Sequence, residues 1–493
     1  MRKQLTAVTF LLAAGLLTAC KGGAATSAEG TGDEGGLAEF RDELLDPKNC
    51  EECHPIHYEQ WLGSMHAYAA EDPVFRAMNA KGQRETDGEL GDFCIKCHAP
   101  LAVELGLTDD GLNLDEVPKH LQGVTCYFCH NVDSVGGTHN NPLELAMDGV
   151  MRGWISESSA LENTFHASKA SRNLDGRFSE SSAMCGSCHD IVTPGGAHIE
   201  RTFLEWNDSL FADISQTTGN LEQYALSCAG CHAVGTVDGP IAEYEGVESR
   251  TLHPHDNVGT DVVITDFPDA QQAPGLKQKQ LQLMELQRYS SVCSSLCVEE
   301  QGDGTAELTV WLHNEGSGHS WPSGAGADRR AWVEIQAFGS DPDTPTFVSG
   351  VVPEGEAVVE LGDDQLWLLR DIMYDADGLE THDFWEAVSF ESNLLAAPEV
   401  FSQTADDAVW ASRTYHVPEM PTSLSSRVRL RAIGLEIIDE LIASGDLDAQ
   451  YRDAFSTFEM VNTQIDWPGE DSVEVEGFGT CAYRSVGCLA PPI

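Results

Sequence analysis

The chain reads as an α+β protein, a mainly helical, loop-rich domain followed by a β-sandwich. Three observations predict this. Short helical patterns, such as residues 58–78 and 199–212, alternate with Gly/Pro/Asp loops over the first half. After Cys297 the period changes to two: Leu308, Val310 and Leu312 alternate with Thr309, Trp311 and His313. Ten of the 15 cysteines fall in five copies of one pentapeptide, all in the first half.

The N-terminus carries a targeting segment. Arg2 and Lys3 form a basic start, and residues 5–16 are mostly apolar but too short to span a bilayer. Leu17–Thr18–Ala19–Cys20 reads as a bacterial lipobox, in which Cys20 is lipidated; the alternative is an ordinary signal peptide with an incidental cysteine. Lys21 follows, not the Asp that retains a lipoprotein at the inner membrane. The expectation is an exported, outer-membrane lipoprotein facing periplasm or exterior, held by lipid alone. Residues 21–36 are rich in Gly, Ala, Ser and Thr and read as a flexible tether.

The repeated pentapeptides are Cys50–Glu51–Glu52–Cys53–His54, Cys94–Ile95–Lys96–Cys97–His98, Cys126–Tyr127–Phe128–Cys129–His130, Cys185–Gly186–Ser187–Cys188–His189 and Cys228–Ala229–Gly230–Cys231–His232. C-x-x-C-H is the attachment motif of c-type haem. Two thiols add across the two vinyl groups of one ring, and the next residue lies beneath the iron, where a neutral imidazole is a good ligand. Zinc could use C-x-x-C with a histidine, but does not require that histidine directly after the second cysteine in every copy. Five c-type haems are therefore expected, with His54, His98, His130, His189 and His232 as proximal ligands.

Motif starts lie 44, 32, 59 and 43 residues apart, so this is no fixed-period solenoid. About forty residues per haem cannot build a large side-chain core, so the porphyrins have to be the interior of residues 37–271. Residues 272–300 read as a connecting helix, with Leu281, Met284 and Tyr289 on one face. The β-domain spans 301–493. Its expected strands include 332–338, 347–352, 366–370 and 427–432, with a helix near 437–443. In 427–432, Val428, Leu430 and Ala432 face one way and three arginines the other. Cys293, Cys297, Cys481 and Cys488 are left over; in an exported protein an even remainder implies disulfides, of three possible connectivities.

Charge bounds the partners. With 28 Lys+Arg against 80 Asp+Glu the net charge is −52, so nucleic acid is excluded as a partner. An acidic surface steers a redox partner with a basic docking face, in an encounter that salt weakens; adaptation to salty surroundings explains the same charge without any partner.

Twelve histidines lie outside the motifs. Those placed to ligate the far side of an iron are His66 on a helix after the first motif, His139 in a Gly-rich loop, His166 before the fourth motif, His255 after the fifth, and His319 at the edge of the sandwich. His57, His120 and His198 compete with them, and Met65 and Met78 offer methionine ligation; Met184 lies near a motif too, but abuts Cys185 and is not expected to reach the other face.

On these residues the N-terminal half resembles the multihaem c-type cytochrome family related to the tetrahaem cytochrome of ammonia oxidisers. The resemblance rests on the first motif followed by Tyr58, Trp61, Ser64 and His66–Ala67, and on residues 93–100. It rests further on Gly123–Val124–Thr125 before the third motif, and on residues 185–190 with Thr202, Glu205–Trp206 and Ser209 behind them. The turn Gly318–His319–Ser320–Trp321–Pro322–Ser323–Gly324, with Asp328–Arg329–Arg330, resembles a β-domain often fused behind such haem domains. The resemblance implies electron transfer between closely packed haems with two histidine ligands each. It supports His66, His255, His319, His139 and His166 as distal ligands. The fifth motif, the lipid anchor and the large sandwich depart from that relative, so neither its ammonia-oxidation role nor its open-coordinate haem is carried over. A relay of electrons is the leading expectation. The alternatives are an oxidoreductase of a small nitrogen or sulfur compound at one open haem, and a binding subunit whose sandwich meets the partner.

Overall fold

The computed structural model describes residues 41–155, 165–212, 226–235, 237–268, 292–314, 316–398, 410–469 and 472–483. Cys20, the tether, most of the expected connecting helix and Cys488 lie outside them. No described helix is long and apolar enough to cross a membrane.

The first half is built of short helices, as its proline and glycine punctuation dictates. The helical stretch expected over 58–78 is broken into Pro55–Leu62, Met65–Tyr68 and Pro73–Glu85. Pro55 and Pro73 each start a helix where no backbone donor is needed. Ser64 and Asp72 cap the second and third by accepting from Ala67 N and Val74 N. Among the described residues this half also holds four two-stranded ribbons, one of them parallel. Its apolar core is small: Leu45, Ala70, Leu101, Leu114, Val117 and Leu121 gather around Ile95, Tyr127 and Phe128 of the second and third motifs.

The second half is a sandwich. One sheet runs, in spatial order, Trp410–Val417, Ala306–Asn314, Val292–Glu300, Gly479–Tyr483, Val473–Val475. The other runs Pro345–Ser349, Arg330–Phe338, Ser423–Arg431, Thr457–Glu459, with Trp367–Leu369 and Ile465–Trp467 paired alongside. Leu308, Val310 and Leu312 of one sheet face Ala331, Val333, Ile335, Val428 and Leu430 of the other. The arginines alternating with them on Ser423–Arg431 turn outward. There Arg427 and Arg429 bind Glu334 on the neighbouring strand, at 2.9 Å in each Nε contact, and both pair with Glu459.

The structure corrects one boundary. Residues 292–300, expected to end a connecting helix, form the central strand Val292–Glu300. Val292, Leu296 and Val298 point into the core and Cys293, Ser295 and Cys297 to the other face, a period of two that is too short to outweigh the helical run before it. Cys297 lies opposite Cys481 in register and is disulfide-bonded to it. Cys293 is disulfide-bonded as well.

The halves are joined by packing and charge. Val74, Ala77 and Met78 of Pro73–Glu85 pack on Ile437, Ile438 and Leu441 of Leu435–Ser444. On the same helix Lys81 pairs with Asp383, and Arg84 with Asp446. Beneath this contact Arg330, fully buried, donates from Nη1 to Ala327 O and Arg329 O at 2.7 Å and pairs with Glu436. Arg330→Ala leaves that carboxylate buried and alone. The expected cost is about 3–5 kcal/mol, read as a lower urea midpoint for the sandwich; an unchanged midpoint counts against it.

Candidate functional site

Each motif folds as one turn of helix, and the reason is local. His54 N donates to Cys50 O at 2.7 Å, His130 N to Cys126 O at 3.0 Å and His189 N to Cys185 O at 3.0 Å; the second and fifth motifs repeat the turn. Residues three and four apart share a helix face, so both thiols and the imidazole of a motif point the same way.

Backbone carbonyls orient the motif histidines. Nδ1 donates to Ile241 O from His54 (2.7 Å), to Ala69 O from His98 (2.8 Å), to Arg152 O from His130 (2.6 Å) and to Val258 O from His232 (3.3 Å). A carbonyl only accepts, so each Nδ1 carries the proton and Nε2 is left to bind a metal. His189 differs: its Nδ1 faces the Glu200 carboxylate at 3.6 Å.

Four motif histidines face a second imidazole. Ring centres are 6.3 Å apart for His54 and His166, 6.1 Å for His189 and His66, 6.2 Å for His130 and His255, and 6.5 Å for His232 and His319. Two imidazoles bonded to one metal at about 2 Å each place their centres roughly 6 Å apart. The spacing therefore fits one iron between each pair, and the paired thiols of each motif fit the ring around it. His57 also lies 6.1 Å from His54, but it stands three residues further along the same chain and packs edge-on against His255 at 4.9 Å.

Burial pushes the imidazoles of His66 and His232 down to about 4 and that of His255 to about 3; it lowers His54, His98, His130, His166 and His319 as well. All stay neutral at pH 7, the form that ligates iron. At His189 desolvation acts in the same direction, but the Glu200 carboxylate 3.6 Å away outweighs it and the net movement is upward.

Several residues hold the far-side histidines. Val124 N donates to His66 O at 2.8 Å, and Trp61 Nε1 to Val124 O at 2.8 Å. This needs Gly123, at φ +79°, because a Cβ there would stand 2.6 Å from Ala67 O. The His319 turn is fastened to the helix Thr202–Asn207 behind the fourth motif. Ser320 N and Ser323 Oγ donate to Glu205 Oε2 at 3.1 and 2.9 Å, and Gly324 N to Thr202 Oγ1 at 3.1 Å. His319 Nδ1 donates to Ser320 O and His255 Nδ1 to His253 O, both at 2.9 Å.

The structure does not bring His139 opposite a motif histidine. Asn140 N and Asn141 N donate to Asp190 O and Ser187 O, which holds the His139 loop beside the fourth motif. Its ring stands 6.2 Å from His198, whose Nε2 is bound by Asp190. Among the described residues no histidine faces His98 as the other four are faced; its ring lies flat on Phe75 at 3.8 Å and 6°. Neither Glu200 nor Phe75 was legible beforehand, since neither sits in a motif.

The motifs cluster. Cys50 and Cys126, Cys97 and Cys188, and Cys185 and Cys228 lie close enough to move one another's ionisation. Cys129 stands near enough to Cys185 and Cys188 to raise both. The first motif thus adjoins the third, and the fourth adjoins the second, third and fifth.

Residues 49–131 match the family model described as cytochrome c554 and c-prime. In fold the chain is similar to a penta-heme cytochrome c552 from Thermochromatium tepidum, with a TM-score of 0.59 and 17% identity over 87% of this chain and 99% of that one. No curated protein matches the sequence.

Proposed function

We propose that the chain is an exported multihaem c-type cytochrome that relays electrons through five covalently bound haems, four of them held between two histidines, to a redox partner with a basic docking face. The observation that carries this reading is the imidazole pairing: four motif histidines each face a second one at the separation two ligands of one iron require. Haem iron supplies the one-electron ferric–ferrous step. The chain supplies the rest. It holds the imidazoles other than His189 neutral, fixes the tautomer of those whose Nδ1 donates to a carbonyl, and sets the motifs side by side. The adjacency of the motif thiols supports a route from the first motif through the third to the fourth, with the second and fifth flanking it. The match over 49–131 and the likeness in fold to a penta-heme cytochrome agree with this reading. The lipobox at Cys20 and the spread of acid over the chain support a lipid-held protein at the outer membrane, meeting a cationic partner.

Mass spectrometry of the purified exported protein is expected to show the chain heavier by five haem groups, with five irons per chain. A folded, colourless sample of unmodified mass ends this reading.

One observation favours a second reading. His98, flat against Phe75 and faced by no described histidine, leaves room for an oxidoreductase role at the second motif, toward a small nitrogen or sulfur compound.

A further inference from the structure

We infer that Glu200 is a positioning residue for His189, and that its charge lowers the reduction potential of the haem held by the fourth motif below what a neutral partner would set. The inference rests on the haem reading above. Three observations carry it.

The first is contrast. His54, His98, His130 and His232 donate to neutral backbone carbonyls, whereas His189 Nδ1 faces a carboxylate at 3.6 Å. An anionic acceptor draws the Nδ1 proton and makes the imidazole a stronger electron donor to its metal, which stabilises the ferric state.

The second is confinement. The Glu200 side chain is 14% exposed, so water screens its charge little. Among the described residues no lysine or arginine pairs with it. Arg329, whose field it reaches, is held fork to fork by Asp261 at 2.6 and 2.7 Å. The position is also fixed, because Glu200 ends the ribbon strand His198–Glu200 and lies in register with Ile191, two residues after His189.

The third is place. The fourth motif adjoins the second, third and fifth, so its haem is the junction of the set. A junction of lowered potential passes electrons on to its neighbours and does not keep them.

The test is a spectroelectrochemical titration of the full, haem-loaded protein carrying Glu200→Gln, a change that keeps size and an acceptor and removes the charge. The fourth-motif step is expected to rise by at least tenfold in its ferrous-to-ferric ratio at fixed solution potential, which is 59 mV for one electron. A smaller rise is expected at the second motif, whose His98 feels the same carboxylate, and the other three steps stay in place. His66→Ala marks the step: it opens the fourth-motif haem, and adding Glu200→Gln must then move the potential of the high-spin signal so created. Glu300→Gln, on the exposed end of a sandwich strand, measures what one surface charge does. Should Glu200→Gln load poorly, Glu200→Asp keeps the charge but draws it back, and gives a smaller rise. A fourth-motif step that moves no more than it does in Glu300→Gln, or five steps moving alike, overturns the inference. Fewer than five haems in the unaltered protein overturns the haem reading instead, so the two failures are distinguishable.

Discussion

Replacing all ten motif cysteines with alanine, so that no haem is attached, is expected to unfold most of residues 41–268 and leave the sandwich standing. The core of the first half explains why. Its apolar cluster leans on Ile95, Tyr127 and Phe128, residues inside or beside the haem turns, and its ribbons are two strands wide, too narrow to be stable alone. Without the rings, the paired histidines lose what they pack against and are left half-exposed or exposed. The sandwich owes nothing to haem: its two sheets close on Leu308, Val310, Ala331, Val333 and Val428, and a disulfide ties Cys297 to Cys481. Pro73–Glu85 is the expected intermediate, because it has a second core against Leu435–Ser444. Amide hydrogen exchange reads all three. Strands over 292–483 keep native protection, residues 94–130 and 185–232 exchange at rates near those of an unfolded chain, and 73–85 falls between. Native protection at 94–130 in the haem-free protein sinks the idea that the rings are the interior.

The second large effect concerns spin state. The oxidised protein is expected to show four low-spin irons and one high-spin iron by electron paramagnetic resonance, the last belonging to the second motif. His66→Ala, His166→Ala, His255→Ala and His319→Ala each remove one member of a facing pair, and each should convert one more iron to high spin. His139→Ala should convert none, because its ring faces His198. Five low-spin irons in the unaltered protein, or a new high-spin iron in His139→Ala, would mean that the His98 iron has a sixth ligand after all and that the oxidoreductase reading loses its footing.

What could be read ahead of the structure follows from the range of the interactions. The C-x-x-C-H turns are local, and residues three and four apart determine them. The strands over 306–314 and 423–431 show a clean period of two because one face is core and the other is not. The turn that carries His319 stood out through the small residues and proline around it, and its ring stands 6.5 Å from that of His232. The pairing of His54 with His166 was not legible, because it depends on how the 111 residues between them fold back, and nothing in the neighbourhood of either reports the other. Glu200 and Phe75 belong to the same class, as does the place that His139 takes beside His198. Its loop is pinned by Asn140 and Asn141 to the fourth motif, a contact no local pattern encodes. The strand Val292–Glu300 was misread because its nine residues follow a longer helical pattern.

In the proposed reading the fifth iron site takes one ligand, His232, from the first half of the chain and the other, His319, from the second. Separating the halves would then cost a metal–nitrogen bond, and the break would have a colour. A molecule pulled by its two ends would shift its absorption spectrum before either half unravelled, so the seam between them is a strain gauge that can be read with light.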